Sequence, residues 1–270
     1  MKIGLALSGG AARGMAHVGV LRALVEHGIR IDCVAGTSAG SIVGGAFAAG
    51  MPVEEIAEFG RKLRWRDIGR MTMSRLGVQS NERLEQYLRA RLPITKFEDM
   101  PLRFAAVATD LKTGAAVVLK DEGDVPFAIR ASCTIPGWYV PVLDQEGRQL
   151  VDGGLVAVIP STVARSLGAD VVIAVDVNSE GATFITPSSS VIGVLLQSMM
   201  VVQKTASSYQ LGMSDLVISP KVGHIRWDEV GRAEELMEAG YKAGLASISK
   251  VQDLTTDQTD FKNRSALVEL

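Results

Sequence analysis

The segment AGTSAGS, residues 35–41, follows an apolar run and precedes a stretch of small and apolar residues that ends at Gly50. A strand, a glycine-bearing turn and a helix are therefore predicted to succeed one another here. The pattern G-x-S-x-G at such a junction is typical of a serine nucleophile carried on a sharp strand-to-helix turn. Glycine on either side of the serine removes side chains that would clash in that turn. The predicted elbow consists of Gly36, Thr37, Ser38, Ala39 and Gly40.

The chain upstream of this elbow has the same organisation. Residues 2–7 are a short apolar strand candidate, residues 8–14 read SGGAARG, and residues 15–27 carry apolar side chains at helical spacing. Gly28 is placed to cap that helix. A β-α-β-α order predicts a parallel sheet covered by helices on both faces. The expected fold class is α/β, with three α/β/α layers around a central, mostly parallel sheet.

The rest of the chain continues this alternation. Strands are predicted at 104–109, 115–119, 150–151, 171–177 and 216–219, and helices at 53–64, 82–91, 126–132, 162–167, 191–211 and 232–250. We expect Asn81 to cap the helix that follows it. Residues 1–250 are interpreted as one domain and residues 251–270 as a polar, loosely held tail. The apolar stretch 191–202 is expected to be core or a dimer face rather than a membrane anchor, because apolar helices in α/β folds usually cover the sheet.

Composition narrows the class of protein. Of the 270 residues, 47% are hydrophobic and 21% are charged, which is ordinary for a soluble globular protein. The formal net charge of −2 gives no basic signal for nucleic acid binding. Cys33 and Cys133 lie far apart in apolar contexts, so we expect buried, reduced thiols. The N-terminus lacks a signal-peptide pattern, and we expect a cytoplasmic protein, with peripheral contact at the inner membrane surface left open.

The glycine-rich loop at residues 8–14 has several candidate roles. A dinucleotide site requires an acidic residue at the end of the second strand, where the elbow stands instead, and a P-loop requires Gly-Lys-Ser/Thr, which the loop lacks. Strands one and two are neighbours in a β-α-β unit, so the loop is expected beside Ser38, which favours an oxyanion hole. A plain tight turn stays an alternative. The candidate oxyanion residues are Gly9, Gly10, Ala11, Ala12, Arg13 and Gly14.

The base that would activate Ser38 is less obvious, because the chain has only three histidines. His224 comes late enough for a Ser-Asp-His order. Asp152 begins a motif whose two glycines let the chain turn with the carboxylate projecting, and a carboxylate within reach of a hydroxyl can act as a general base. That motif consists of Asp152, Gly153 and Gly154, and the other titratable candidates are His17, His27, Asp110 and Asp176. Histidines and cysteines lack ligand spacing, so no metal or cofactor is predicted.

Five segments taken together resemble the patatin-like phospholipases, closest to their small bacterial single-domain members. They read GGAARG (9–14), GTSAG (36–40), ASCTIPG (131–137), DGG (152–154) and LGADVVIAVD (167–176). The resemblance extends over most of the predicted domain. It implies a Ser–Asp dyad without a catalytic histidine, with Ser38 as nucleophile, Asp152 as base and the loop 9–14 as oxyanion hole. It also implies hydrolysis of acyl esters of phospholipids and other lipids.

One position departs from the family pattern. The family loop usually carries three consecutive glycines, and here the third is Ala11. If that position requires a positive φ, alanine is strained there. The leading hypothesis is a serine acyl hydrolase that cleaves phospholipids, lysophospholipids or other acyl lipids through an acyl-enzyme. The alternative is a catalytically weak regulator that keeps the pocket and binds an acyl ligand or a protein partner.

A basic segment at residues 61–75 bears on how an acyl-lipid substrate is reached. It carries six cationic residues against one acid, with Trp65 and Met71 among them. Basic and aromatic side chains together suit an anionic membrane surface. A solvated helix face with a few core anchors explains the same pattern, so both interpretations stay open. Nothing in the sequence indicates an oligomeric state.

Overall fold

The computed structural model of the protein describes residues 1–180 and 190–255. The strands are β1 (Ile3–Leu7), β2 (Cys33–Thr37), β3 (Arg70–Met71), β4 (Gly77–Ser80), β5 (Arg103–Asp110), β6 (Ala116–Lys120), β7 (Gly137–Tyr139), β8 (Val142–Leu143), β9 (Gln149–Asp152), β10 (Val171–Val175) and β11 (Leu216–Ile218). Eight of them form the main sheet, in the order β11-β10-β1-β2-β5-β9-β8, with β6 paired to β5. The five strands from β11 to β5 are parallel, whereas β6, β8 and β9 run antiparallel to their neighbours.

Helices cover both faces of this sheet. They are α1 (Met15–Glu26), α2 (Ala39–Ala48), α3 (Val53–Lys62), α4 (Trp65–Ile68), α5 (Glu82–Arg89), α6 (Val125–Ser132), α7 (Ser161–Ser166), α8 (Val191–Leu211) and α9 (Ala233–Leu245). Leu5 and Leu7 of β1 face the larger apolar core, which side chains of α1, α2 and α3 share, while Ala6 faces a smaller core beneath α7. Burial on both faces explains why β1 and β10 are apolar at nearly every position. The predicted α/β/α fold with a mostly parallel sheet is confirmed.

Two local features differ from the expectation. A second small sheet, in the order β3-β4-β7, was not predicted, because its strands are only two to four residues long. Asn81 stands at the N-cap position of α5, as predicted, but its side chain makes no capping hydrogen bond. Its fully buried side chain donates instead to the Thr134 hydroxyl at 2.9 Å and to the Arg130 carbonyl at 3.1 Å. Asn81 therefore joins the start of α5 to the end of α6.

The apolar stretch at the start of α8 is not a covering layer of the core. Val191, Leu195 and Val202 are 77%, 62% and 64% exposed. The expectation that this stretch is core is therefore wrong for its outward face, and a dimer face stays a prediction. A helix that is apolar all round does not reveal from its sequence which side meets a neighbour.

The C-terminal end of the fold lies beyond the predicted boundary. Residues 248–255 are helical, and Val251 is buried in the larger core. The first residues of the predicted tail therefore belong to the folded unit. The remaining tail residues, 256–270, lie outside the described residues.

Candidate active site

Ser38 stands at the junction of β2 and α2. Its backbone has φ 51° and ψ −124°, a conformation that residues with side chains rarely adopt. The residue is 9% exposed, and α2 begins with the next residue. The positive end of the α2 dipole therefore lies behind the Ser38 hydroxyl, where it favours negative charge.

Two glycines allow the elbow to approach the sheet so closely. A Cβ at Gly36 would overlap the Gly40 carbonyl oxygen, and a Cβ at Gly40 would overlap the Leu7 carbonyl oxygen. Both clashes are with backbone atoms, which cannot swing aside as a flexible side chain can. The G-x-S-x-G spacing thus reflects the packing of the elbow against the end of β1.

Hydrogen bonds from two other serines hold the strained elbow. The Ser38 N–H donates to Ser132 Oγ at 2.9 Å, and the Ser132 hydroxyl donates to the Val107 carbonyl at 2.6 Å. The Ser41 hydroxyl donates to the Ser38 carbonyl at 2.6 Å. Sequence reasoning gave Ser132 no role, and its only signal was its place in the ASCTIPG segment.

Asp152 reaches Ser38 because two strands meet end to end along β5. Thr37, the last residue of β2, pairs with Val107, and Asp152, the last residue of β9, pairs with the next residue of β5, Ala108. At both positions β6 occupies the other edge of β5. Since β2 runs parallel to β5 and β9 antiparallel, their C-terminal ends converge. This register brings the Asp152 carboxylate and the Ser38 hydroxyl together.

The Asp152 carboxylate is buried beside that hydroxyl. Burial raises the pKa of Asp152 to about 6, and hydrogen bonds from the Ser38 hydroxyl and the Gly154 N–H partly offset the rise. The Gly154 N–H donates to Asp152 Oδ1 at 2.7 Å. A Cβ at Gly153 would overlap the Val107 carbonyl oxygen, so the turn requires glycine there. A carboxylate with this pKa is mostly ionised at neutral pH and can accept a proton.

The rival bases have other partners. His224 is exposed, and its Nε2 is 2.8 Å from a carboxylate oxygen of Glu235. Asp110 accepts hydrogen bonds within its own hairpin turn, from the Thr113 hydroxyl among others, which holds its pKa below the usual range. Asp176 accepts the N–H of the residue two positions on. None of the three lines either of the cavities described below.

The other two histidines also have structural partners. His17 is fully buried, and its Nε2 donates to the Ser8 carbonyl at 2.9 Å, since a carbonyl oxygen can only accept. Burial lowers the pKa of His17 to about 4, so its ring is neutral near pH 7. His27 follows α1, and its Nδ1 bonds the carbonyl of Ala23. His17 thus fixes the start of the glycine-rich loop rather than contacting Ser38.

The glycine-rich loop presents two uncommitted N–H groups near Ser38. Four of its N–H groups donate to backbone carbonyls, and they belong to Ser8, Gly9, Ala12 and Arg13. The described residues provide no acceptor for the N–H groups of Gly10 and Ala11. Both residues line the cavity that contains Ser38 and Asp152. Of the six candidate oxyanion residues, these two carry donors that a ligand oxygen can use.

Ala11 occupies the left-handed region, with φ 48°. The position where the family has a third glycine therefore does require a positive φ, and alanine is strained there. The N–H of Ala11 stays available to a ligand in spite of this strain, because alanine and glycine carry the same backbone N–H.

Two side chains from distant parts of the chain brace the loop. Arg13 is buried and donates to the carbonyls of Ile225 at 2.7 Å and Gly223 at 3.1 Å. Asn178 Nδ2 donates to the Gly9 carbonyl at 2.7 Å. Arg13, whose role the sequence left open, therefore holds the loop in place rather than facing the site, and sequence reasoning did not identify Asn178.

Two cavities meet at Ser38. The first lies between α1, α2, α3 and α5, measures about 830 Å³ including its open mouth, and is lined by apolar side chains such as Met15, Ile56, Phe59 and Leu84. The second lies between the glycine-rich loop, Asp152 and α8, measures about 570 Å³ including its open mouth, and is lined in part by Asn178 and Gln203. Ala11 and Ile135 line both. The candidate nucleophile therefore stands between an apolar arm and a more polar one.

The basic segment lies beside both cavities, and its Trp65 lines the first. Trp65 packs edge-to-face on Trp227, with ring centroids 6.1 Å apart, and Trp227 lines the second cavity. Arg61 pairs with Glu58 and Glu234. Within the described parts of the chain, four cations of the segment have no acidic partner, and these are Arg64, Arg66, Arg70 and Arg75.

Residues 1–180 and 190–255 contain neither a metal-type cluster of side chains nor a membrane-spanning helix. No cluster of three or more His, Cys, Asp or Glu side chains there has a geometry that would hold a metal ion. No helix there is both long enough and apolar enough to cross a membrane. Cys33 and Cys133 are both buried and unpaired, as expected.

Comparison with known proteins places the chain in a family. The family model for patatin-like phospholipases matches residues 5–165, more than half of the chain. An uncharacterized NTE family protein of Mycobacterium tuberculosis is 38% identical over 184 residues, which are 67% of this chain and 50% of the relative. Lysophospholipase NTE1 of Mycosarcoma maydis is 40% identical over 187 residues, which are 66% of this chain and 10% of that protein. Patatin-like phospholipase domain-containing protein 7 of Rattus norvegicus is 32% identical over 284 aligned positions, covering 90% of this chain and 20% of that protein.

A solved structure has the same fold. The crystal structure of VipD from Legionella pneumophila superimposes with a TM-score of 0.58 at 15% identity, over 93% of this chain and 67% of VipD. The chain spans about half the length of the mycobacterial relative. The stretch that the family model matches contains the elbow, the glycine-rich loop and the Asp-Gly-Gly turn. The chain belongs to the patatin-like phospholipase family.

Proposed function

We propose that the protein is a serine acyl hydrolase that cleaves ester bonds of phospholipids, lysophospholipids or other acyl lipids through Ser38 and Asp152. The observation that carries this proposal is a buried Asp152 carboxylate beside the hydroxyl of Ser38, a residue with a strained backbone that lines an apolar cavity. Family membership supports hydrolysis of lipid esters, and one relative bears the name lysophospholipase.

In the first half-reaction, Ser38 Oγ attacks the acyl carbonyl carbon while its proton passes to Asp152. The N–H groups of Gly10 and Ala11 and the N-terminus of α2 stabilise the charge that develops on the carbonyl oxygen. The bond to the alcohol oxygen then breaks, and that oxygen takes the proton from Asp152. In the second half-reaction a water molecule gives its proton to Asp152 and attacks the acyl-enzyme, and Ser38 Oγ recovers the proton as the acid leaves.

The burial of Asp152 explains how a carboxylate can replace a histidine in this scheme. A solvated aspartate, with a pKa of about 3.9, holds a proton too weakly to draw it from a serine hydroxyl. Burial raises the pKa of Asp152 to about 6, close to the usual value for histidine. The same burial excludes water that would otherwise compete for the carboxylate.

The apolar cavity supports an acyl chain as the bound group. Most of its lining side chains belong to the larger core, and Ser38 is part of the lining. A buried methylene contributes about 0.8 kcal/mol, or roughly a fourfold gain in affinity. We therefore expect kcat/KM to rise about fourfold for each added methylene until the cavity is full, and then to level off.

The test is hydrolysis of p-nitrophenyl esters of increasing chain length, with Ser38→Ala as the control for background rate. His224→Ala is the second control, because His224 is exposed and paired away from the site. Hydrolysis that depends on Ser38, rises with chain length and survives His224→Ala supports the proposal. A folded protein that neither hydrolyses these esters nor reacts with a fluorophosphonate would favour the catalytically weak regulator.

We also propose that the protein takes its substrate from an anionic lipid surface, through α8 and the basic segment. The inward side of α8 lines the second cavity with Leu196, Met199 and Met200, while apolar side chains cover its outward side. The unpaired arginines of the basic segment supply the complementary charge for anionic lipid. A surface docked there would place lipid esters beside the opening at Ser38.

Vesicle co-sedimentation tests this contact. We expect stronger binding to anionic than to neutral vesicles, and weaker binding to both after Leu195→Ser combined with Val202→Ser. Leu143→Ser, a change at a 63% exposed leucine of β8, is the matched control. Equal binding by both proteins, or a change of oligomeric state caused by the α8 substitutions alone, would contradict the proposal.

A further inference from the structure

The second cavity contains polar side chains that the catalytic scheme does not use. We propose that Asn178 and Gln203 form a subsite for a hydroxyl group on the leaving alcohol, so that the preferred substrates are esters of polyols with a free hydroxyl near the ester oxygen. This inference rests on the proposed ester hydrolysis, and it concerns which alcohol is released rather than whether hydrolysis occurs.

Asn178 presents a hydrogen-bond acceptor of fixed orientation. Its Nδ2 donates to the Gly9 carbonyl at 2.7 Å, which settles which end of the carboxamide faces the loop. The described residues supply no donor to Asn178 Oδ1, and the residue lines the cavity that holds Asp152. An amide oxygen can only accept, so a ligand at this position must donate an O–H or N–H.

Gln203 approaches the same place from α8. A Cβ added to Gly154 would lie 2.6 Å from Gln203 Nε2 and 2.9 Å from Asp152 Oδ1. Gln203 therefore lies over Gly154, the second glycine after Asp152, and its amide has no hydrogen-bond partner among the described residues. An uncommitted carboxamide both donates and accepts, which matches the two capacities of a hydroxyl group.

The charge of this cavity argues against a phosphate group as its occupant. The described residues that line it include no lysine or arginine, and the one ionisable side chain is the acidic Asp152. Phosphate sites usually contain arginine or lysine, whereas uncharged amides suit hydroxyl groups. Because the alcohol oxygen must take its proton from Asp152, the alcohol lies in this cavity at the moment of release. A glycerol-type alcohol fits these requirements, with any charged headgroup held outside the cavity.

The test compares two esters of one fatty acid, a glycerol monoester with free hydroxyl groups and a methyl ester without them. The ratio of their kcat/KM values isolates the subsite, because both esters use the same Ser38, oxyanion donors and acyl cavity. We expect the wild type to favour the glycerol ester, and Asn178→Leu and Gln203→Leu each to lower the ratio about three- to tenfold, the usual worth of one hydrogen bond.

Two further variants separate recognition from folding. Asn178→Asp keeps an acceptor but loses the donor to Gly9, so it should slow both esters and leave the ratio high. Gln197→Leu is the matched control, because it makes the same change on α8 at a residue that lines neither cavity. A wild-type ratio near one, or equal ratios in the wild type, Asn178→Leu and Gln203→Leu, would overturn the subsite alone. Failure of the wild type to hydrolyse either ester would overturn the proposed function and the subsite with it.

Discussion

The loops that follow β1 and β2 are built on the same plan and serve different ends. Each leaves a buried parallel strand, and each places a residue other than glycine in the left-handed region, Ala11 at φ 48° and Ser38 at φ 51°. In the proposed reaction Ser38 must carry a side chain, because its Oγ is the attacking atom. Ala11 contributes only a backbone N–H, which any residue except proline would supply at that position.

The two loops also differ in what holds them. The elbow is held by Ser41, one turn further along α2, and by Ser132 from the end of α6. The glycine-rich loop is held by Asn178 and by Arg13, which reaches carbonyls more than two hundred residues away. The comparison teaches that strain in the elbow is unavoidable, whereas strain in the loop is a property of this one sequence. Substitutions in each loop test this difference.

The largest effect is expected at the elbow itself. Ser38→Ala and Ser38→Gly both remove the nucleophile, and each should lower kcat by about 10⁴-fold or more. Glycine tolerates the positive φ, so Ser38→Gly should be more stable than Ser38→Ala by about 1 kcal/mol. Ester hydrolysis and urea unfolding of the two variants measure these effects. Equal stability of the two variants would show that the elbow is not strained.

Asp152→Asn should remove the base and leave the shape of the site unchanged. We expect kcat to fall about 10³-fold, within the range for loss of a general base. The unfolded-state pKa of aspartate is about 3.9, and the folded-state pKa of Asp152 is about 6. The folded state thus binds more protons between these values, and wild-type stability falls as pH rises through that window.

Asparagine has no such titration, so Asp152→Asn should be more stable than the wild type above pH 6, by up to about 3 kcal/mol. The difference should vanish below a pH of about 4. Thermal unfolding of both proteins across this pH range checks the sign. The prediction is contradicted if the stability of Asp152→Asn minus that of the wild type is smaller at pH 8 than at pH 4.

A smaller effect is expected from the brace of the elbow. Ser132→Ala leaves the Ser38 N–H and the Val107 carbonyl without their shared partner. Two buried polar groups without partners should cost about 1–3 kcal/mol of unfolding free energy. We expect kcat to fall about tenfold with little change in KM. A misplaced nucleophile that raises the activation free energy by about 1.4 kcal/mol lowers the rate by that factor. Ser166→Ala, which removes a hydroxyl that bonds only within α7, is the control.

The smallest effect is expected in the glycine-rich loop. Ala11→Gly should raise the unfolding free energy by no more than about 1 kcal/mol, because relief of strain is partly offset by the entropy of glycine in the unfolded chain. The N–H at position 11 is kept, so kcat should equal or exceed the wild-type value. Kinetics and chemical unfolding of the single variant measure both quantities. A clear loss of kcat would mean that the methyl group of Ala11 takes part in binding.

The sequence predicted best those features whose motif residues are neighbours along the chain. Gly36 and Gly40 flank Ser38 within five residues, and Gly153 directly follows Asp152, so both motifs can be read locally. The carbonyls that require Gly40 and Gly153 belong to β1 and β5, far away along the chain. Alternation of apolar runs and helical periodicity likewise predicted the α/β/α layers. The choice of Asp152 over His224 came from the family resemblance, because nothing local reveals that β2 and β9 meet along β5.

The features that sequence missed depend on distant parts of the chain. Ser132, Asn178 and Gln203 contact the site from α6, from the loop after β10 and from α8, and an isolated serine, asparagine or glutamine carries no signal of its partner. The N-cap position of Asn81 was predicted correctly, but its side chain bonds to Arg130 of α6 and to Thr134 just after it instead of capping α5. The outward face of α8 was misread because an apolar helix shows no polar side to mark solvent.

The rate at which a fluorophosphonate labels Ser38, measured against pH, tests the central claim most directly. Labelling requires Ser38 Oγ to give its proton to a base as fluoride leaves, so its rate follows the ionisation of that base. We predict one rise with a midpoint at a pH of about 6, both in the wild type and in His224→Ala. Asp152→Asn should lack that rise. Equal labelling of the wild type and Asp152→Asn at every pH, or loss of labelling in His224→Ala, would contradict the account.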